Sequence, residues 1–201
     1  MSSINYVVFD LGGVLVDWDP RYLYRKIFDS EDEVEAFLRD ICNSDWIIQS
    51  DAGRPLDDCI ADLASEYPEH AWAIRNYRDR WQEMVGGAIE GTVEILRDLK
   101  SRDVPLYVLS NWSRDTWPFA VEQFEFLKIF DGLVVSGYEG VAKPEAKIFH
   151  RLNDHGVRLD RAVFIDDRED NIAAAEALGM TGIHFTGPDD LAMRLAELRL
   201  L

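Results

Sequence analysis

Four short stretches set reactive or charge-bearing side chains directly after apolar runs. In Phe9-Asp10-Leu11-Gly12-Gly13-Val14-Leu15 a carboxylate follows the run Tyr6-Val7-Val8-Phe9. Alone, an aspartate before two glycines is ordinary turn chemistry. At a strand tip it is also a potential nucleophile, ringed by backbone N–H groups that the glycines leave accessible. Leu109-Ser110-Asn111 is common loop composition too, yet its hydroxyl and amide can donate hydrogen bonds to an oxyanion. Lys143-Pro144-Glu145 puts a lysine just before a proline-started helix. Most lysines are solvated surface charges, but one held at a helix N-terminus adds its charge to the dipole and suits a phosphate. Phe164-Ile165-Asp166-Asp167-Arg168-Glu169-Asp170-Asn171 closes a further apolar run with adjacent carboxylates. Acids are favoured in a first helical turn, but two side by side repel unless a cation or donor lies between them, and a divalent metal is the natural partner.

These side chains need a frame. Tyr6–Phe9, Pro105-Leu106-Tyr107-Val108-Leu109, Ala162–Ile165 and Gly182–Phe185 read as buried strands, with Leu133-Val134-Val135 a shorter one. Helical spacing separates them: Val93, Leu96 and Leu99 before Pro105, Ile148, Phe149 and Leu152 after Pro144, and Ala173 to Leu178 up to Gly179. The expected class is α/β, a doubly wound parallel sheet with its ligand at the C-terminal strand ends. Between the first two strands, apolar residues recur only at helical spacing: Val34, Phe37, Leu38 and Ile41; Ile60, Leu63, Ala64 and Tyr67; Ile74, Tyr77 and Trp81. Residues 17–88 are therefore expected to form an all-helical cap overhanging the site, on a core made of 1–16 and 89–201. Its hinges should lie near residues 16–20 and at Gly86-Gly87.

Composition narrows the partners. With 21 Lys and Arg against 38 Asp and Glu among 201 residues, the net charge of −17 would repel a phosphate backbone, so no nucleic-acid partner is expected. An anionic substrate would require local positive charge or a metal in this field. The 47% hydrophobic and 29% charged content is that of a soluble globular protein. Cys42, Cys59 and the four histidines offer no zinc-site spacing. Met1-Ser2-Ser3-Ile4-Asn5 lacks a charged start and a long apolar run, and no stretch reaches the roughly 18 apolar residues of a membrane span, so no membrane partner and a cytoplasmic location are expected.

Taken together and in this order, the four motifs resemble those of the haloacid dehalogenase-like (HAD) hydrolase superfamily, over essentially the whole chain. The resemblance implies a Rossmann-like sheet of order 5-4-1-2-3 with a helical cap inserted after the first motif. It implies that Asp10 attacks phosphorus to form an aspartyl-phosphate, that Ser110 and Lys143 hold the phosphoryl oxygens, and that Asp166 braces Lys143 or a water on the metal. Mg²⁺ would be held by Asp10, the Gly12 carbonyl and Asp167. Phe9 to Asp17 and Lys143-Pro144-Glu145-Ala146 look closest to the bacterial alpha-D-glucose-1-phosphate phosphatase subgroup, whose substrate is a small sugar phosphate. Gly12, Asn111, Lys143, Asp17, Trp46, Arg54 and Trp112, with Trp117, are candidates for the substrate pocket. As bland alternatives, each tryptophan could be core and Arg54 a surface residue.

One position departs from the pattern. Phosphatases of this family usually carry a second Asp two residues after the nucleophile as general acid and base; here that residue is Gly12. A sugar 1-phosphate suffers least, because its anomeric oxygen leaves more readily than a primary alkoxide, and Asp17 or a metal-bound water could substitute. The dehalogenase branch also lacks this Asp, so metal-independent hydrolysis of a 2-haloacid is the alternative. Asp166-Asp167 weighs against it, since two carboxylates without a metal would repel a carboxylate substrate. A non-catalytic binding protein on the same scaffold is a third reading, opposed by the joint presence of Asp10, Ser110, Lys143 and Asp167.

Overall fold

An apolar run without polar alternation is satisfied in a strand covered on both faces, and the computed structural model, which describes residues 4–201, sets β1 (Tyr6–Phe9) in that position. Met1, Ser2 and Ser3 of the N-terminal stretch lie outside the described residues. β2 (Val16–Trp18) and β3 (Val85–Ala88) form a separate antiparallel ribbon. The main sheet continues with β4 (Leu106–Ser110), β5 (Gly132–Val135), β6 (Ala162–Asp166) and β7 (Thr181–His184), all parallel, in the order β5-β4-β1-β6-β7. Counted over these five strands alone, read from β7, the order is 5-4-1-2-3. Phe9 lies opposite both Val108 and Ile165, so Asp10, Ser110 and Asp166 leave the sheet at one edge.

The insert between β1 and β4 carries α1 (Arg21–Tyr24), α2 (Glu31–Asp40), α3 (Ser44–Asp51), α4 (Leu56–Glu66) and α5 (Ala71–Asp79). Val34 and Phe37, Ile60 and Leu63, and Ile74 and Tyr77 are buried, as their spacing predicts. Ser30 caps α2 by accepting from the Glu33 N–H at 3.3 Å, and Asn43 caps α3 by accepting from the Trp46 N–H at 3.0 Å. The insert is not helical throughout, contrary to expectation. Its two ends pair as the β2–β3 ribbon, and Gly86-Gly87 are strand residues within it. The physical reason is that these strands are three and four residues long and their partners are remote in sequence, so no local periodicity announces the pairing.

α6 (Glu90–Ser101), α7 (Trp117–Gln123), α8 (Ser136–Glu139), α9 (Ala146–His150), α10 (Glu169–Ala177) and α11 (Pro188–Glu197) complete the core. The two-residue alternation of β1 sorts the layers: Val7 and Phe9 join the cluster containing Leu96 of α6 and Leu195 of α11, whereas Val8 joins Ile148 and Phe149 of α9 and Ala175 of α10. Helices thus cover both faces. Among the described residues no helix is long and apolar enough to cross a membrane.

Candidate active site

The Asp10 N–H still bonds to the Ile165 carbonyl at 2.9 Å, so the residue leaves the sheet only after its backbone has been fixed by the ladder. Its Oδ1 accepts from the Leu11 N–H at 2.7 Å and lies 2.9 Å from Lys143 Nζ. Lys143 is 2% exposed and donates to Asp166 Oδ2 at 2.7 Å, with its ammonium 5.3 Å from the Phe164 ring centroid. A buried lysine stays where its backbone is held. Asn111 does that from β4's end, donating from Nδ2 to the Lys143 carbonyl at 3.0 Å and accepting the Lys143 N–H on Oδ1 at 2.8 Å. Asp166 is completely buried and also accepts from the Arg168 N–H at 2.9 Å and from the Asn171 amide at 3.0 and 3.1 Å, so it is a fixed brace for Lys143. Among the described residues the Ser110 hydroxyl, buried at the same strand edge, has no partner, an open donor next to the nucleophile's strand.

Charge at this edge is out of balance. Asp10, Asp166 and Asp167 bring ligand oxygens within 4.8 Å of one another, against the single ammonium of Lys143. Burial lowers the Lys143 proton affinity, but the charges of Asp10 and Asp166 and their hydrogen bonds outweigh it and hold the ammonium above the usual lysine range. Burial pushes the Asp10 carboxyl up to about 7 against the pull of Lys143, with Asp166 and Asp167 adding to the rise. Asp167 is raised as well, by burial first and then by Asp166, with Lys143 and Arg168 opposing. A divalent cation relieves this excess. The residues fit one: Asp166 is spent on Lys143, Arg168 and Asn171, leaving Asp10 and Asp167 for the ion. Gly13, at φ +72°, permits this, because a Cβ there would sit 2.3 Å from Asp167 Oδ2.

Above this edge lies a cavity of about 550 Å³ between core and insert. Asp10, Gly12, Asp17, Trp46, Asn111, Trp112, Lys143 and Asp167 line it, while Ser110 and Asp166 are buried at the strand edge beside it. Trp46 is fixed by its indole N–H donating to the Cys59 carbonyl at 3.2 Å and by an edge-on contact with Tyr77. Two expectations are corrected. Arg54 faces a different cleft, where it pairs with Asp62 and donates to Gln49 Oε1 at 2.8 Å; its guanidinium satisfies local carboxylate and amide oxygens on α3 and α4. Trp117 is packing, edge-on against Trp112 with centroids 5.8 Å apart.

Other lining residues carry no sequence motif. Ser50 donates to Ser113 Oγ at 2.7 Å, and the Leu56 N–H donates to Asp115 at 2.8 Å, tying the insert to the loop after β4. Ser113 could have been found from its place two residues after Asn111. Asp51, at the end of α3, could not. Burial pushes its carboxyl up to about 7, against the Ser113 backbone N–H and the Lys143 charge.

A family model described as haloacid dehalogenase-like hydrolase matches residues 4–179. The sesquiterpene phosphatase of Aspergillus oryzae is 29% identical over 200 residues, 98% of this chain and 97% of that protein. Among solved structures, a HAD family enzyme of Bacteroides thetaiotaomicron in complex with magnesium and inorganic phosphate superposes with a TM-score of 0.69 at 23% identity, covering 92% of this chain and 96% of that one. L-2-haloacid dehalogenase of Xanthobacter autotrophicus, with chloropropionic acid covalently bound, superposes with a TM-score of 0.66 at 15% identity, covering 96% and 83%.

Proposed function

The chain belongs to the haloacid dehalogenase-like hydrolase family, and on that premise we propose that it is a Mg²⁺-dependent phosphomonoesterase working through an aspartyl-phosphate on Asp10. The observation that carries this reading is the surplus of carboxylate at the strand edge, where one buried ammonium faces three acids. A metal-free dehalogenase site would present that surplus to a carboxylate substrate, which weighs against the haloacid alternative. Mg²⁺, held by Asp10, the Gly12 carbonyl and Asp167, would supply neutralisation of the phosphoryl oxygens. The chain's own groups do the rest. The Asp10 carboxylate attacks phosphorus in line, Lys143 holds a phosphoryl oxygen, and the unpartnered Ser110 hydroxyl donates to another. Asp166 and Asn111 position Lys143, and residues 17–88, acting as a cap over a core of 1–16 and 89–201, exclude bulk water.

The substrate on this reading is a small phosphorylated metabolite. A sugar 1-phosphate suits a site with Gly12 in the acid's usual place. A second reading, an apolar organic phosphate, is favoured by the Aspergillus relative and by a wall that includes Trp46, Ile47, Ile48, Leu56, Trp81 and Trp112. The buried, unpaired Cys42 and Cys59 support a reducing, cytoplasmic setting. The deciding experiment measures phosphate release from glucose 1-phosphate and farnesyl phosphate, and chloride release from 2-chloropropionate, with Mg²⁺ and after exhaustive chelation. Phosphate release that chelation abolishes and Mg²⁺ restores is expected. Full activity after chelation, or chloride as the product, would overturn the proposal.

A further inference from the structure

A phosphomonoesterase must return a proton to the oxygen that leaves, and Gly12 has no side chain to do so. A side-chain acid would therefore come from another part of the cavity wall. Apart from the acids at the strand edge, the carboxyls on that wall are Asp17, Asp19 and Asp51. Asp17 is engaged by the Tyr22 hydroxyl at 2.8 Å, and Asp19 by the Arg21 backbone N–H at 2.9 Å and its guanidinium at 3.3 Å. Asp51 accepts the Ser113 backbone N–H, is engaged by neither a tyrosine hydroxyl nor a guanidinium, and is near enough to Lys143 to feel its charge.

Its position is built rather than incidental. The preceding residue, Ser50, is locked to Ser113 through buried hydroxyls, and Ser113 follows two residues after the Asn111 that fixes Lys143. On the other side, Gly53 at φ +96° lets the turn after α3 meet the α8 backbone so closely that a Cβ would lie 3.2 Å from the Gly137 carbonyl oxygen. The end of α3 is therefore clamped on both sides of Asp51. Burial also holds the carboxyl at about 7, which keeps a protonated fraction at neutral pH.

We propose that Asp51, reaching in from the insert, protonates the leaving-group oxygen in place of the acid missing at position 12. The inference rests on the phosphomonoesterase reading. As an Asp10 carboxylate oxygen bonds to phosphorus, the ester P–O bond breaks with its electron pair on the leaving oxygen, which takes the Asp51 proton and departs as the alcohol. Asp51 is left as a carboxylate beside the aspartyl-phosphate. It then accepts a proton from the water whose oxygen attacks phosphorus, and Asp10 leaves as a carboxylate with both side chains restored.

The test compares kcat/KM of wild type and Asp51→Asn, in Mg²⁺, on 4-nitrophenyl phosphate, whose phenolate leaves unprotonated, and on benzyl phosphate, whose alkoxide does not. Benzyl phosphate should lose about 10²-fold or more, while 4-nitrophenyl phosphate stays within about threefold. The variant should also show a burst of one nitrophenol per enzyme, because hydrolysis of the phosphoenzyme has lost its base. A Cβ at Gly12 meets nothing within 4 Å, so Gly12→Asp in the Asp51→Asn background should recover benzyl phosphate turnover. Asp51→Ser serves the same comparison if the amide variant does not fold. Equal loss on both esters, or no loss on benzyl phosphate, overturns the role of Asp51 while leaving the phosphomonoesterase reading intact. Failure of the wild type on both esters overturns that reading instead.

Discussion

The floor and the roof of the cavity solve opposite problems. On the floor, polar groups are packed so densely that Lys143, Asp166, Asn111 and Asn171 hold one another in place with bonds of 2.7–3.1 Å. On the roof, Trp46, Ile47, Ile48 and Leu56 present mainly apolar surface, and Asp51 is the acid close enough to sense Lys143. A network of this kind tolerates few changes, because removing one member strands the others without solvent. An apolar wall can be repacked at modest cost. On the proposed reading, attack on phosphorus belongs to the floor, whereas choice of substrate and the leaving group's proton belong to the roof.

The largest effects should come from breaking the floor. Asp10→Asn is expected to lower turnover of every phosphate ester by at least about 10⁴-fold while leaving the thermal transition in place, measured by phosphate release and calorimetry side by side. Residual activity within a hundredfold of wild type would mean that another group attacks phosphorus. Lys143→Ala should cost turnover about 10²–10³-fold and also about 3–5 kcal/mol of stability, because Asp166 is then left buried without its counter-ion. A denaturation midpoint equal to that of wild type would show that Lys143 contributes little to holding the floor together.

The same contrast explains what a reader of the sequence can see. A parallel sheet brings strand ends together, so Asp10, Ser110 and the Asp166-Asp167 pair, each contiguous with an apolar run, announce both the fold and the floor. Roof residues sit on helices whose spacing serves packing first. Trp46 and Trp117 look alike as sequence, yet one lines the cavity and the other packs behind Trp112. Arg54 was a candidate for the substrate pocket, but Asp62 and Gln49 claim its guanidinium. The β2–β3 ribbon escaped for a related reason, since pairing between remote short strands leaves no local period.

Substitutions on the roof should divide along that line. Trp46→Ala should change the ratio of kcat/KM between farnesyl phosphate and glucose 1-phosphate by about tenfold while altering acetyl phosphate turnover by less than about threefold, in keeping with the 1–3 kcal/mol carried by a good apolar contact. Arg54→Ala, outside the cavity, should leave all three within about twofold. A loss in Arg54→Ala confined to one substrate would extend the roof into the second cleft and blur the division.

The smallest effect is the most diagnostic of how the roof carries its acid. Burial lifts the Asp51 carboxyl from about 3.8 to about 7, with the Ser113 N–H and Lys143 opposing, so between those values the folded protein holds a proton that the unfolded chain has released. Stability from this group is therefore present below about pH 4, declines as pH rises toward 7, and is fully lost above it. Asn has no charge to bury. Asp51→Asn should melt close to wild type at pH 4 and above it at pH 8, by about 2 °C or more for each kcal/mol relieved. Taking the difference between the two proteins at each pH cancels the titration of groups they share. Lys143 and Tyr77, which sense Asp51, are both held above their ordinary ranges and so titrate above the pH interval compared. A pH-independent difference would mean that the carboxyl is hydrated and ionised in the folded state, which would remove the physical basis for a proton donor on the roof. A gain confined to the higher pH, together with loss of benzyl phosphate turnover, would identify Asp51 as a residue kept for chemistry at the expense of stability.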